Sequence, residues 1–146
     1  MGSMKLRSSA LWLSFLLTLS CQDVRGLFEL GAALKHEYPD SQVSVSLTDG
    51  LILTVTVADS SFAVPSCERQ AAVATQIATF VRRNYRGFDA LQTISVAFAS
   101  RRPQVRTTAS AAGLPFRFAR TLLSAGLTRA DSTRAVESCK AWRELQ

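Results

Sequence analysis

The segment 42–57 constrains the fold more than any other part of the sequence, because two runs of alternating polar and apolar residues flank a turn signal. Residues 42–47 read Gln-Val-Ser-Val-Ser-Leu, and residues 51–57 read Leu-Ile-Leu-Thr-Val-Thr-Val. Alternation with a period of two is typical of strands with one buried face, and Thr48-Asp49-Gly50 favours a chain reversal. The sequence therefore predicts an antiparallel β-hairpin.

The register of this hairpin follows from where the apolar side chains must lie. A two-residue Asp-Gly loop would pair Leu47 with Ile52 and place valines on the same face as threonines. A three-residue loop collects the apolar side chains on one face, and a slip of one residue would expose the whole set. We therefore expect a three-residue loop with Gly50 in the left-handed conformation. Its pairs would be Leu47 with Leu51, Val45 with Leu53, and Val43 with Val55.

The remaining periodicity predicts helices over 22–39, 67–86 and 129–145, a strand over 91–99, and weaker strands over 105–109 and 116–120. Hairpin strands followed by one long crossover predict an α+β domain over 22–146, with a mostly antiparallel sheet of three to five strands and helices packed on one face. A right-handed crossover would set the third strand parallel to the second.

Helix boundaries carry recognisable capping signals. Ser66 is a candidate N-cap for the second helix, and Gly87 is expected to end it. Thr128 and Asp131 form a variant of the capping box at the start of the last helix. The apolar stripe expected to bury the second helix consists of Val73, Ile77, Phe80, Val81 and Tyr85, with Ala74 beside it.

Residues 1–21 have the pattern of an export signal. Lys5 and Arg7 precede the apolar run 10–19, which ends at Ser20-Cys21. A membrane-spanning helix needs about 18 apolar residues, so this run of about ten favours a cleaved signal over a permanent span. We expect 1–21 to be a signal peptide or a lipoprotein signal or anchor, and the protein to be exported, periplasmic and anchored to the membrane.

Cys21 leaves three alternatives open. Residues 17–21, Leu-Thr-Leu-Ser-Cys, resemble a bacterial lipobox, in which the cysteine is lipidated and becomes the first residue. Thr18 stands where lipoboxes usually carry leucine, and Leu19 is large for its place. The alternatives are lipidation of Cys21, an ordinary cleaved signal, and a retained N-terminal anchor.

Cys67 and Cys139 are the cysteines that remain if Cys21 is removed or lipidated. In an exported protein these two could form a disulfide. Each lies on a predicted helix, so whether they bond depends on how close the two helices bring them. The alternative is a pair of buried thiols that pack as small apolar groups.

The hairpin and the helix after it resemble a family of small, uncharacterised bacterial exported proteins, many of them described as lipoproteins. The stretches that carry the resemblance are 43–57, 71–85 and 94–98, with 116–118 as a further candidate; together they cover about half of the chain. The resemblance implies export, and it implies neither an activity nor catalytic residues.

The sequence offers no pattern typical of an active site. His36, the single histidine, is followed by Glu37 near the end of a predicted surface helix, with no nucleophile in an evident pairing. One histidine and separated cysteines do not make a metal-ligand set. The seven glycines are scattered and form no phosphate-binding loop. We therefore expect no catalysis, no cofactor and no metal.

Arginine dominates the basic side of a chain with formal net charge +6. One cluster comprises Arg82, Arg83 and Arg86, and a second comprises Arg101, Arg102 and Arg106. If the two clusters meet, they form a basic patch for anionic lipid headgroups or an acidic partner; otherwise they are a solvated face. Export and the lack of interleaved aromatic residues argue against nucleic acid.

The function expected from the sequence is that of a non-enzymatic exported envelope protein, a lipoprotein that acts as a membrane-tethered interaction module. The membrane would be reached through the N-terminal segment or a lipid, and a protein would be the second partner. One alternative is an accessory subunit of a membrane complex, anchored by an uncleaved N-terminal helix. Another is a periplasmic small-ligand binder or enzyme.

Overall fold

The computed structural model describes residues 24–58, 66–99 and 116–144, except the side chain of Trp142. The elements in chain order are α1 (24–37), β1 (Gln42–Thr48), β2 (Ile52–Ala58), α2 (Cys67–Asn84), a 3₁₀ turn (Phe88–Ala90), β3 (Thr93–Ala99), β4 (Phe116–Ala119), α3 (Arg120–Ala125) and α4 (Arg129–Glu144). Cys21, Arg101, Arg102, Arg106 and the strand predicted over 105–109 lie outside the described residues.

The four strands form one mixed sheet in the order β1-β2-β3-β4. β1 pairs with β2 antiparallel, β2 with β3 parallel, and β3 with β4 antiparallel. A parallel pair needs a long connection that returns the chain to the starting end of the sheet, and α2 lies within that connection. The predicted α+β fold with a mostly antiparallel sheet is confirmed.

The hairpin register differs from the predicted one by two residues. Val45 pairs with Val55 and Leu47 with Leu53, so the apolar side chains share a face as expected, but the predicted individual pairs are wrong. Asp49 and Gly50 have φ of 53° and 68°, and the Leu51 N–H donates to the Thr48 carbonyl at 3.0 Å. Positive φ at both central residues is the pattern of a type I′ turn. Leu51 is then the additional residue, and the three-residue loop is 49–51 instead of 48–50.

The core lies between one face of the sheet and the helices. β2 and β4 bury alternate side chains, whereas β3 is buried along five consecutive residues. The large apolar side chains of these strands on the helix-covered face are Leu53, Val55, Val57, Ile94, Val96, Phe98, Phe116 and Phe118. Helix α1 adds Leu30 and Leu34. Burial of large apolar side chains of this kind contributes about 1.5–3 kcal/mol each. The packing of helices against this face follows directly from the period-two pattern of the strands.

Helix α2 packs on the sheet through small residues at the centre of its buried face. Ala71, Ala74 and Ala78 are buried together with Ile77 and Val81. Val73 and Phe80 are half-buried and lie beside this line instead of within it. The predicted stripe gave too much weight to the large residues Val73 and Phe80, whereas the buried face is centred on alanines. Small side chains allow the helix backbone to approach the strands closely.

Two short elements escaped prediction. Helix α2 ends at Asn84, followed by Tyr85 in extended conformation, so Gly87 does not cap it. The 3₁₀ turn then leads into β3, and α3 follows β4 directly. Gly87 matters for another reason: an added Cβ would lie 2.8 Å from the ring of Tyr85, which is itself buried. The 3₁₀ turn and α3 are too short to show a periodicity in the sequence.

Gly50→Ala is expected to destabilise the protein by about 1–2 kcal/mol, because an L side chain is strained at φ 68°. Nothing lies within 4 Å of the added Cβ, so steric contact makes no contribution. The measurement is the free energy of unfolding in urea.

Gly31→Ala is the matched control. Gly31 lies within α1, and its added Cβ would contact Val45 at an ordinary 3.9 Å. Alanine is the better helix former by about 1 kcal/mol, so this variant should be more stable than the parent. Destabilisation by both substitutions to the same extent would contradict the turn geometry.

Candidate functional site

A disulfide between Cys67 and Cys139 joins the first residue of α2 to the second half of α4. The sulfur atoms are 2.09 Å apart and the Cα atoms 5.7 Å apart, and both residues are buried. The sequence left open whether these cysteines form a disulfide or remain two buried thiols, and the structure contains the disulfide. The bridge closes a loop with a sequence separation of 72.

An exposed ion pair joins the residues that follow the two bridged cysteines. Lys140 and Glu68 form an ion pair at 2.6 Å, with more than half of each side chain exposed. The hydrogen bond from Lys140 is the main cause that lowers the pKa of Glu68. Solvent screens an exposed pair of this kind, so it contributes little to stability.

A groove of about 430 Å³ lies between β4, α3 and α4. Its apolar lining comes from Phe116 and Phe118 on β4, Leu122 on α3, and Leu127. The ring of Phe116 is held by an edge-to-face contact with Phe98, with ring centroids 5.9 Å apart. Edge-to-face packing is a favoured aromatic arrangement, so this part of the lining is fixed in position.

The polar lining of the groove comes from one face of α4 and from β4. Asp131, Arg134 and Ser138 are spaced by three and four residues, which places them on the same side of the helix. Arg117 of β4 also borders the groove, but its side chain lies on the sheet face opposite to Phe116 and Phe118, because successive side chains of a strand alternate between the two faces. The groove thus combines an apolar base with the exposed Arg134 of α4, an arrangement suited to an apolar group that carries negative charge nearby.

Asp131 is committed to the start of α4. The Thr128 N–H donates to its carboxylate at 2.9 Å and the Thr128 hydroxyl at 2.6 Å, while the Asp131 N–H donates back to the Thr128 hydroxyl oxygen at 3.4 Å. Hydrogen bonds from Thr128 are the main cause that lowers the pKa of Asp131. The expected capping box is present, so Asp131 is not a free acid in the groove.

The first arginine cluster lies where α2 ends. Arg82, Arg83 and Arg86 are exposed, and Arg82 donates to the Ser124 carbonyl of α3 at 3.4 Å. Because α2 runs back along the sheet, this end lies beside the start of β3. The second cluster, Arg101, Arg102 and Arg106, lies outside the described residues, so the joint basic patch stays a prediction.

His36 is exposed on α1. Across 24–58, 66–99 and 116–144, no three histidine, cysteine or acidic residues are grouped so as to hold a metal ion. None of the helices in that part of the chain combines the length and the apolar character that a bilayer crossing requires.

Compared with known proteins, the chain matches no family model, no curated protein and no solved structure. The resemblance to bacterial exported proteins therefore stays a prediction, and the site must be interpreted from its own geometry. Sequence reasoning missed the groove, because it forms only where β4, α3 and α4 meet. The spacing of Asp131, Arg134 and Ser138 was the one visible signal.

Loss of the disulfide should cost about 4 kcal/mol of unfolding free energy, because a loop of this length is then free in the unfolded chain. The test is urea denaturation of the full chain with Cys67→Ser and Cys139→Ser together. Cys21→Ser is the control and should leave the midpoint unchanged. A double variant as stable as the parent would show that the bridge does not constrain the fold.

Acid should weaken the start of α4. Because the pKa of Asp131 is lowered in the folded chain, its stabilisation is complete above about pH 4 and is lost as the pH falls through the lowered pKa. Amide hydrogen exchange of residues 129–132 should therefore accelerate on acidification beyond its intrinsic pH dependence. Asp131→Asn should remove this excess, and Asp40→Asn should retain it. The same excess in all three proteins would contradict the assignment.

Proposed function

We propose that this protein is a non-enzymatic exported envelope protein, tethered to the membrane through its N-terminal segment or a lipid on Cys21, that binds a protein partner. The observation that carries the proposal is the Cys67–Cys139 disulfide. Disulfides persist in oxidising compartments such as the periplasm and are rare in the cytosol. This agrees with the export pattern of residues 1–21.

The groove between β4 and α4 is the candidate partner site. Phe116 and Phe118 provide an apolar base, and the exposed Arg134 of α4 provides positive charge beside it. Apolar anchors in a concave site with charged groups around them are the usual composition of a binding hot spot. A partner segment with apolar side chains next to acidic residues would satisfy both parts of this groove.

A periplasmic small-ligand binder is the second candidate function. The volume of the groove, about 430 Å³, lies within the range of small-molecule pockets. Small-molecule sites usually enclose most of the ligand surface. The polar side chains that line this groove are exposed, which indicates a wide opening. The groove therefore favours a peptide over an enclosed small molecule.

The intact mass of the protein from its own host tests the tether. We expect a chain that begins at Cys21 with added acyl mass, and a gain of about two daltons on reduction of the disulfide. A chain that begins at Cys21 or later without acyl mass contradicts the tether. A chain that still carries Met1 or Met4 contradicts cleavage and favours the accessory subunit of a membrane complex. A bound small molecule in the native spectrum would favour the second candidate.

Photo-cross-linking tests the partner groove. A photoreactive residue in place of Ser138, which lines the groove, should capture a partner in the envelope of the host. Thr133 is exposed on the opposite side of α4 and is the matched control position. Arg134→Glu should reduce capture from position 138. Equal capture from both positions would contradict a partner in the groove.

A further inference from the structure

One end of the domain collects the turns that connect its strands and helices. We call it the turn end and define it by residues 24–26, 49–52, 82–92 and 120–124. The Gln92 N–H donates to the Leu51 carbonyl at 2.8 Å, and the Arg120 N–H donates to the Gln92 carbonyl at 2.9 Å. A guanidinium nitrogen of Arg120 donates to the Asp89 carbonyl, also at 2.9 Å. These bonds join the hairpin turn, the 3₁₀ turn and the start of α3.

The described part of helix α1 starts at Val24, at the same end. Gly26 lies against Tyr85 so closely that an added Cβ would be 3.4 Å from the tyrosine ring. Tyr85 follows the end of α2 and is buried. The N-terminal export segment therefore joins the domain at the turn end.

This connection limits how far the domain can stand from the membrane. If Cys21 carries a lipid, only two residues lie between it and Val24, and an extended chain spans at most about 11 Å from Cys21 to Val24. If the apolar run is retained instead, four residues lie between Leu19 and Val24, and the span is at most about 18 Å. Either tether keeps the turn end next to the lipid headgroups.

The exposed side chains of the turn end suit that position. The large apolar residues exposed in the described part of the chain lie there, with Phe28 one helical turn further along α1: Val24, Phe28, Leu51, Ile52 and Leu122. Four exposed arginines stand beside them: Arg25, Arg82, Arg83 and Arg86. The half-buried Arg120 adds a fifth positive charge, against Asp49, Asp89 and Glu29, and Glu29 pairs with Arg25 at 3.0 Å. Exposed apolar groups among cations are typical of surfaces that bind anionic membranes.

We infer that the turn end is a membrane-docking surface, on which the arginines bind anionic phospholipid headgroups and the exposed apolar side chains enter the interface. This inference rests on the proposed membrane tether and adds the orientation of the domain. The groove between β4 and α4 reaches the turn end only through Leu122, so docking would leave its α4 side accessible to a partner.

The experiment uses the full chain reconstituted into two sets of vesicles, one of phosphatidylcholine alone and one with phosphatidylglycerol as a third of the lipid. Phenylglyoxal modifies accessible arginines, and mass spectrometry gives the modification rate at each position. In the anionic vesicles we expect Arg82, Arg83 and Arg86 to react at least about fivefold more slowly than in the phosphatidylcholine vesicles. This factor corresponds to about one favourable headgroup contact per arginine. Arg69 and Arg134 should change little.

Salt and charge reversal provide the controls. High salt shortens the Debye length and should remove the protection. In the parent, the anionic vesicles should also slow the modification of Arg120, which belongs to the turn end but is far from the tether along the chain. In a variant with Arg82→Glu, Arg83→Glu and Arg86→Glu, this protection of Arg120 should be lost. The matched variant with Lys35→Glu, Arg69→Glu and Arg134→Glu reverses the same number of exposed charges elsewhere and should keep Arg120 protected.

The outcomes separate the docking surface from the tether. If the chain floats with both sets of vesicles and the arginines react equally in both, the docking surface is wrong and the tether stands. If the chain floats only with the anionic vesicles and its arginines are protected, the docking surface is supported and the tether is wrong. If the chain floats with neither, both proposals are wrong.

Discussion

The parallel pairing of β2 with β3 is the constraint on which the rest of the structure depends. It forces the chain to return across the sheet between Ala58 and Thr93, and α2 lies in that return. The same helix packs on the apolar face of β3 and β4, and Ala71, Ala74 and Ala78 belong to its buried face. Both the topology and the core therefore depend on one helix whose buried face is small enough to lie close to the sheet.

The C-terminal part of the chain is attached to this core at separated points. The disulfide joins α4 to the start of α2, and Arg82 near the end of α2 reaches the Ser124 carbonyl of α3. The capping box of Thr128 and Asp131 sets where α4 begins. Because α4 is attached through α2 while β4 belongs to the sheet, a groove remains between the helix and the strand. The candidate partner site therefore results from the attachment of α4 to α2 instead of to β4.

The two ends of the domain differ in a way that bears on the proposed function. The disulfide and the Glu68–Lys140 pair lie at the end where α2 begins. The exposed apolar residues, the first arginine cluster and the start of α1 lie at the other end. A tethered domain with one end suited to headgroups and a groove on its side would present that groove in a defined orientation.

The sequence by itself determined the hairpin, the phase of its apolar face, the limits of α2 and α4 to within a few residues, and both N-caps, because periodicity and capping act over a few neighbouring residues. Tertiary structure decided the exact hairpin pairs, since Leu51 joins the loop while its carbonyl accepts from Gln92. It also decided the distance between Cys67 and Cys139 and the groove between β4 and α4. These depend on contacts between residues far apart in the chain, for which a single sequence contains no local signal.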